Sequence, residues 1–180
     1  METVHNAAVV KHRDEYIILF RSLLRTGRSI IGLVRSAADG FHFTADPEPF
    51  LIPARDGPFA PYEEFGVEDP RVTQLEEEFL ITHSAYSRNE VRIALAKTEG
   101  FSQVERVSLV TQADYRNVVI FPEKFDGLYA RLENRSGMAL HLSRSFPDMD
   151  GSVYRLGVAL HDLKNPAKVI GVRRLVDLAT

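Results

Sequence analysis

A unit of short strands that recurs along the chain limits the fold more than any other feature of this sequence. Residues 31–36 run into the turn Asp39-Gly40-Phe41, and residues 91–98 run into Glu99-Gly100-Phe101 in the same way. A third copy begins at residue 117. Repeats of about 40–50 residues, each built of short antiparallel strands, are typical of propeller blades. A β-sandwich also contains many short strands, but it does not predict this internal similarity.

Strand-forming residues predominate, and no long amphipathic helix is evident. Residues 7–10 and 16–20 are predicted as two strands joined by a polar hairpin loop, and residues 29–36 as a third strand. Five prolines between residues 47 and 61 exclude a central strand or a helix interior there. Aromatic residues in the same stretch favour an ordered loop over the blade ends rather than a flexible linker. The prediction is an all-β propeller.

The composition excludes several classes of site. The 180 residues include no cysteine, so disulfides, thiolate zinc sites, iron–sulfur clusters and cysteine nucleophiles are ruled out. The six histidines are scattered without metal-ligand spacing, and we predict no metal site. A net charge of −3 gives no general attraction to nucleic acid or anionic membranes. No apolar run approaches the ~18 residues of a membrane span, and residues 1–6 lack a signal-peptide pattern, so we expect a cytoplasmic protein.

The segment from Gly66 to Arg71 is the most informative for chemistry. It reads Gly-Val-Glu-Asp-Pro-Arg, with two adjacent carboxylates at the entrance of a predicted strand. Pro70 is expected to hold Asp69 in an extended conformation. Glu68 would favour the protonated form of Asp69, whereas Arg71 would favour the ionised form. Such a carboxyl group is suited to general acid catalysis on a glycosidic oxygen, and the alternative is a turn with a surface Asp–Arg pair.

The same segment resembles the signature of glycoside hydrolase family 130, the β-mannoside phosphorylases and related mannosidases. Further landmarks follow in the order of that family, over nearly the whole chain: Asn6-Ala7-Ala8 with Leu19-Phe20-Arg21, Ser36 with Asp39-Gly40-Phe41, residues 116–124 and residues 154–166. The resemblance implies a five-bladed β-propeller with the sugar site in its axial cavity. It also implies an inverting phosphorylase in which inorganic phosphate is the co-substrate and no cofactor is needed.

The resemblance assigns roles to individual positions. Asp69 matches the proton donor, whose proton passes through a hydroxyl of the mannosyl ring. Arg116 matches a phosphate-binding arginine, and Arg135 is the candidate for a second, because the family's own position holds Asn134 here. A planar guanidinium suits phosphate because it donates two hydrogen bonds to two oxygens. Three further positions match sugar-binding residues: Asn6, Arg21 and Asp162.

Each of these residues also has a simpler interpretation. Asn6 would then cap the chain start, Arg21 would be an edge residue, and Asp162 would belong to a turn. Arg116 would form a surface ion pair with Asp114, worth less than ~1 kcal/mol.

The chain departs from the family after Ser143, where a long stretch present in relatives is reduced to about ten residues. Five blades need roughly 200–250 residues, so we expect one propeller domain over residues 1–180 with about three to four blades, truncated or internally deleted near 143–154. Incomplete closure makes a homo-oligomer an option. The predicted partners are a β-mannoside oligosaccharide and inorganic phosphate. Two alternatives stay open: a β-mannoside hydrolase, and an impaired propeller that only binds sugar or a partner chain.

Overall fold

The computed structural model of the protein is built of β-strands. It describes residues 3–40, 42–113, 115–125, 128–137, 153–161 and 169–177, and these contain strands but no α-helix. The strands, in chain order, are β1 Thr3–His12, β2 Glu15–Leu23, β3 Ser29–Ser36, β4 Phe43–Ala45, β5 Gly66–Leu75, β6 Glu78–Tyr86, β7 Val91–Thr98, β8 Glu105–Leu109, β9 Tyr115–Phe125, β10 Leu128–Gly137, β11 Val153–His161 and β12 Val169–Asp177.

Within the described ranges these strands form three antiparallel sheets of four consecutive strands each. The first blade is β1–β4, the second is β5–β8 and the third is β9–β12. A single parallel bridge between Ser29 and Gly66 joins the first blade to the second. The predicted all-β propeller is therefore confirmed, and three blades lie within the expected range of three to four.

The first two blades repeat the same local turn chemistry. The β1–β2 and β5–β6 hairpins each have a two-residue turn, and each turn places a residue in the left-handed region. These residues are Arg13, with φ of 55°, and Glu76, with φ of 56°. A left-handed residue lets a two-residue turn follow the right-handed twist of its strands. The sequence repeat thus corresponds to a repeated blade geometry.

Apolar side chains pack between neighbouring blades. Between the first and second blades, Leu19 and Leu33 pack with Phe79 and Ile81, all of them buried. Between the second and third blades a second cluster includes the buried residue Val118 of β9. Burial of each such side chain contributes about 1.5–3 kcal/mol. Blade-on-blade packing therefore fixes where the first strand of each blade lies.

The first strands of the three blades lie side by side, with β5 in contact with both β1 and β9. These are the innermost strands of a propeller. The expectation of one domain over residues 1–180 that is shortened near 143–154 stays a prediction, because residues 138–152 lie outside the described part of the chain. The described residues contain no helix with the length and apolarity needed to cross a membrane.

Candidate functional site

Each innermost strand carries a β-bulge, and each bulge contains a residue of the predicted site. In β1 the pairing with β2 shifts between His5 and Ala8, which leaves Asn6 inside the irregularity. In β5 the pairing with β6 shifts between Glu68 and Arg71, around Asp69.

In β10 the consecutive residues Asn134 and Arg135 pair with Asn117 and Tyr115 of β9. Arg116 is therefore the extra residue of a bulge in β9. Bulges bend a strand and redirect side chains, and they are enriched beside active sites. The three bulges together mark one region of the inner strands.

Asp69 receives hydrogen bonds from side chains of the first blade. The Asn6 amide nitrogen donates to Asp69 Oδ1 over 2.7 Å, and Arg21 Nη1 lies 3.5 Å from the same oxygen. The Asp69 side chain is 19% exposed, so it remains accessible to a small molecule. Three residues that the sequence singles out are thus brought together, although they are separated by up to 63 positions.

The backbone at this point is strained, and the sequence-based expectation for it is wrong. Asp69 has φ of 51° and Asn6 has φ of 46°, both in the left-handed region. Pro70 was expected to keep Asp69 extended, but the bulge overrides that preference, and Asp and Asn are the side chains that tolerate this region best. Left-handed non-glycine residues cost of order 1–3 kcal/mol and persist where their surroundings hold them, as they do at functional sites.

Glu68 shares the arginine of the first blade with Asp69. Arg21 Nη2 lies 2.8 Å from Glu68 Oε1, closer than the 3.5 Å that separates Arg21 from Asp69. Ser29 Oγ also donates to Glu68 Oε1, over 2.8 Å. Arg21 therefore contacts two neighbouring carboxylates and holds both at the junction of the first and second blades.

Gly66 is required for the close approach that builds this contact. It has φ of 147°, and a Cβ at this position would lie 2.6 Å from the backbone nitrogen of Ser29. Ser29 N donates to the carbonyl of Phe65 over 3.0 Å. Glycine therefore allows β5 to begin against β3, and this places Glu68 within reach of Ser29.

The described contacts of Arg71 do not include the Asp69 carboxylate, so the Asp–Arg pair that the sequence offered is not formed by these two residues. The Arg71 guanidinium donates from Nη1 to the carbonyl of Pro70 over 2.8 Å and from Nη2 to Asn117 Oδ1 over 3.3 Å. Arg71 thus turns toward the third blade, and Arg21 takes the expected place beside the acid. The cause is the bulge, which shifts the register between residues 68 and 71.

A buried charge cluster below the site has no signal in the local sequence. Glu63 and His83 are both fully buried, and His83 Nε2 lies 3.3 Å from Glu63 Oε1. Arg106 Nη2 donates to Glu63 Oε2 over 2.8 Å, and the Ala54 backbone nitrogen donates to the same oxygen over 2.7 Å. Burial pushes the pKa of Glu63 up, but the hydrogen bonds from His83 and Arg106 outweigh burial and hold that pKa below its ordinary value.

This cluster ties the long loop before β5 to the second blade. An ionised carboxylate can only accept hydrogen bonds, so His83 Nε2 carries the proton in the bond to Glu63. Among the described residues, His83 Nδ1 is buried without a hydrogen-bond partner. His83 also lies opposite the bulge at Asp69, since its β6 neighbours pair with Glu68 and Arg71. Pairs that meet 20 and 43 residues apart are not visible in a local pattern.

An open groove lies beside the β2–β3 turn. Its lining includes Thr26 and Arg28 from that turn and Ile52, Arg55 and Glu64 from the loop before β5. Ser29 and the carboxylates of Glu68 and Asp69 do not belong to this lining. The loop before β5 thus forms one wall of a groove that is separate from the carboxylates.

Three predicted site positions fall wholly or partly outside the described residues. Asp162 lies outside them entirely, and the side chains of Arg116 and Arg135 are also outside. For the two arginines the backbone register alone is described: Arg135 pairs with Tyr115, directly before Arg116. Both positions therefore lie at the same end of the third blade. In the described part of the chain, no group of three or more His, Asp or Glu side chains could hold a metal ion.

Comparison with known proteins identifies relatives of one family. The sequence model of glycoside hydrolase family 130, described as beta-1,4-mannooligosaccharide phosphorylase, matches residues 1–149. A beta-1,2-mannobiose phosphorylase of Listeria innocua is 40% identical over 111 residues, which are 62% of this chain and 30% of that protein. A beta-1,2-mannobiose phosphorylase of a Thermoanaerobacter species is 24% identical over 226 residues, covering 94% of this chain and 73% of that protein. The match to the Listeria protein thus spans less than a third of its length.

Solved structures show the same fold. The Listeria innocua β-1,2-mannobiose phosphorylase in complex with β-1,2-mannobiose superposes with a TM-score of 0.64 and 22% identity. The superposition covers 96% of this chain and 77% of the solved chain. The solved members of the family are five-bladed propellers, and the three described blades represent part of such a ring.

Proposed function

Since the chain belongs to glycoside hydrolase family 130, we propose that it cleaves β-mannosides with inorganic phosphate and releases mannose 1-phosphate. The proposed substrate is β-1,2-mannobiose, because two relatives are named for that disaccharide. The observation that carries the proposal is the Asp69 carboxylate, held at a strained bulge by Asn6 and Arg21. No cofactor is needed in this chemistry, since phosphate itself is the attacking group.

Asp69 is the proposed general acid. A phosphate oxygen attacks the anomeric carbon of the mannosyl ring as the bond from that carbon to the glycosidic oxygen breaks, which inverts the anomeric centre. The proton of Asp69 reaches the departing oxygen through a mannosyl hydroxyl. The proton of the attacking hydrogen phosphate is released, and solvent returns a proton to Asp69. A positioned general acid contributes typically 10²–10⁴-fold to the rate.

The hydrogen bonds of Asp69 support this role because they leave one carboxyl oxygen available. Asn6 and Arg21 both donate to Oδ1, so Oδ2 is left to carry the proton toward the sugar. After the proton leaves, the same two donors stabilise the carboxylate charge.

The remaining site residues complete the proposal. Arg116 and Arg135 are proposed phosphate ligands, since their backbone positions lie at one end of the third blade. Asp162 is a proposed sugar ligand.

The test is to incubate the protein with β-1,2- or β-1,4-mannobiose, with and without phosphate. Mannose 1-phosphate formed only with phosphate, and faster from the β-1,2 disaccharide, is the expected result. Free mannose in both tubes would replace the proposal with hydrolysis. Binding of mannobiose without turnover would instead indicate an impaired propeller that only binds sugar.

Asp69→Asn should lower the rate of mannose 1-phosphate formation by at least about 100-fold, because the amide cannot supply the proton. Asp46→Asn is the matched control, since Asp46 faces Arg35 on the first blade, outside the candidate site. Its rate should stay within about twofold of the parent. Turnover of Asp69→Asn at the parent rate would show that the acid is misassigned.

A further inference from the structure

Arg71 differs from the other half-buried arginines whose side chains are described. Four of them each have a carboxylate within 3.5 Å: Arg21 with Glu68, Arg35 with Glu15, Arg92 with Glu90 and Arg106 with Glu63. Arg71 is buried to a similar degree, yet both of its described acceptors, the carbonyl of Pro70 and the side-chain amide of Asn117, are neutral.

A partly desolvated guanidinium without an anion is unfavourable unless a ligand supplies one. A guanidinium has five N–H donors, and the described hydrogen bonds of Arg71 occupy two of them. Three donors remain, which is enough for a two-pronged contact with an oxyanion. The hydrogen bonds to Pro70 and Asn117 hold the guanidinium in place and thus reduce the entropy lost on binding.

The location of Arg71 suits an anion that must approach a sugar near Asp69. Arg71 directly follows the Asp69–Pro70 bulge, and its partner Asn117 directly follows Arg116 on β9. On the other side of Asp69, Arg21 already contacts two carboxylates, whereas the described acceptors of Arg71 are neutral. Of these two guanidiniums, Arg71 is therefore the better placed to receive an oxyanion, and its contact with Asn117 lies between the second and third blades.

We infer that Arg71 is a direct ligand of the phosphate co-substrate, acting from the second blade opposite the third. This inference rests on the proposed function and adds a phosphate contact that the sequence resemblance does not assign. Arg71 supplies two hydrogen bonds and a positive charge to the phosphate that attacks the anomeric carbon. Asn117 is a positioning residue that keeps the guanidinium turned toward β9.

The experiment measures the KM for phosphate and the KM for mannobiose in variants of the whole chain. Arg71→Met should raise the KM for phosphate at least about tenfold and leave the KM for mannobiose within about twofold, because charge-assisted hydrogen bonds to the anion are lost. Arg92→Met is the matched control, since Arg92 is a half-buried arginine of the same blade that pairs with Glu90. It should leave both constants unchanged.

A second variant keeps the guanidinium and changes only its partner. Asn117→Asp places a carboxylate at the acceptor 3.3 Å from Arg71 Nη2 and so competes with phosphate for the cation. It should raise the KM for phosphate several-fold even though it adds an ion pair to the protein. A purely structural role of Arg71 predicts no such rise.

Calorimetric titration with inorganic phosphate separates this inference from the proposed function. The parent should bind phosphate and Arg71→Met should bind it at least about tenfold more weakly, whether or not mannose 1-phosphate is formed. No mannose 1-phosphate from the parent would contradict the proposed function alone. Equal phosphate affinity in the parent, Arg71→Met and Asn117→Asp would overturn the role of Arg71.

Discussion

The two junctions between neighbouring blades are built in different ways. At the first junction, between the first and second blades, side chains meet side chains: Arg21 contacts both Glu68 and Asp69. At the second junction, between the second and third blades, the side chains of Arg71 and Asn117 meet, and two threonine side chains also hold backbone. Thr73 Oγ1 donates to the carbonyl of Ile120 over 2.8 Å, and Thr82 Oγ1 donates to the carbonyl of Val118.

The two junctions therefore have different roles. The first junction orients a carboxyl group and places two carboxylates beside Arg21. The second junction fixes the course of β9 through its carbonyl groups and leaves Arg71 without a carboxylate partner. The proposed acid and the proposed anion site therefore lie on opposite sides of the inner strand β5. A sugar lying across β5 would be placed between its acid and its nucleophile.

The largest expected effect comes from removing the cation of the first junction. Arg21→Met should lower kcat for mannose 1-phosphate formation by about 100-fold, because Glu68 and Asp69 then repel each other and the acid shifts. The KM for phosphate should change less than threefold, since the anion is bound at the other junction. Steady-state kinetics with each substrate varied in turn measure both values.

Arg35→Met is the control for Arg21→Met. Arg35 is a half-buried arginine of the first blade that pairs with Glu15 and Asp46, away from Asp69. Arg35→Met should leave kcat within about twofold of the parent value. If Arg21→Met instead raises the KM for phosphate as strongly as Arg71→Met does, the two junctions do not have separate tasks.

A smaller effect, on stability rather than on phosphate binding, is expected at Glu63. Glu63→Gln should destabilise the protein by about 3 kcal/mol at pH 7, because Arg106 loses a buried anionic partner. The pKa of Glu63 is held below its ordinary value of 4.5, so its contribution is fully present above that pH and is lost as the pH falls through the folded-state pKa. Urea unfolding at pH 7 and pH 4 should therefore show that the free energy of unfolding falls less on acidification in Glu63→Gln than in the parent.

Glu64→Gln is the neighbouring control, since Glu64 pairs with the exposed Arg88 at the surface. Surface pairs contribute little, so its unfolding curves should match those of the parent at both pH values. An equal effect of both variants would mean that burial of Glu63 does not matter for the loop that leads into β5.

The smallest effect is expected from one hydroxyl at the second junction. Thr82→Val keeps the shape of the side chain and removes the donor to Val118, which should cost about 1 kcal/mol. The KM for phosphate should rise two- to fivefold as β9 loosens, with kcat nearly unchanged.

Thr98→Val is the control for Thr82→Val. It removes a hydrogen bond to the carbonyl of Gln103, far from β9, and should leave the KM for phosphate as it is. A change in kcat rather than in the KM for phosphate would place β9 beside the acid instead.

Local patterns predict the strands well and the site only in part. Runs of strand-forming residues predict β3 and β7 with the bounds that the structure has, because strand preference is a local property. The resemblance also selects Asn6, Arg21 and Asp69, which the structure brings into contact.

The features that the sequence does not predict depend on contacts between residues far apart in the chain. The direction of Arg71 depends on a bulge, whose effect on register is not encoded in neighbouring residue types. The pairing of Glu63 with Arg106 depends on how a 20-residue loop crosses the second blade. Asp162 lies outside the described part of the chain, so its predicted role stays a prediction.

A crystal structure of Asp69→Asn with β-1,2-mannobiose and phosphate tests the separation of acid and anion most directly. The account predicts a mannosyl ring beside residue 69 and a phosphate between the second and third blades, within hydrogen-bond distance of the Arg71 guanidinium. A phosphate bound beside Arg21 on the first blade, with Arg71 still directed only at Pro70 and Asn117, would contradict it.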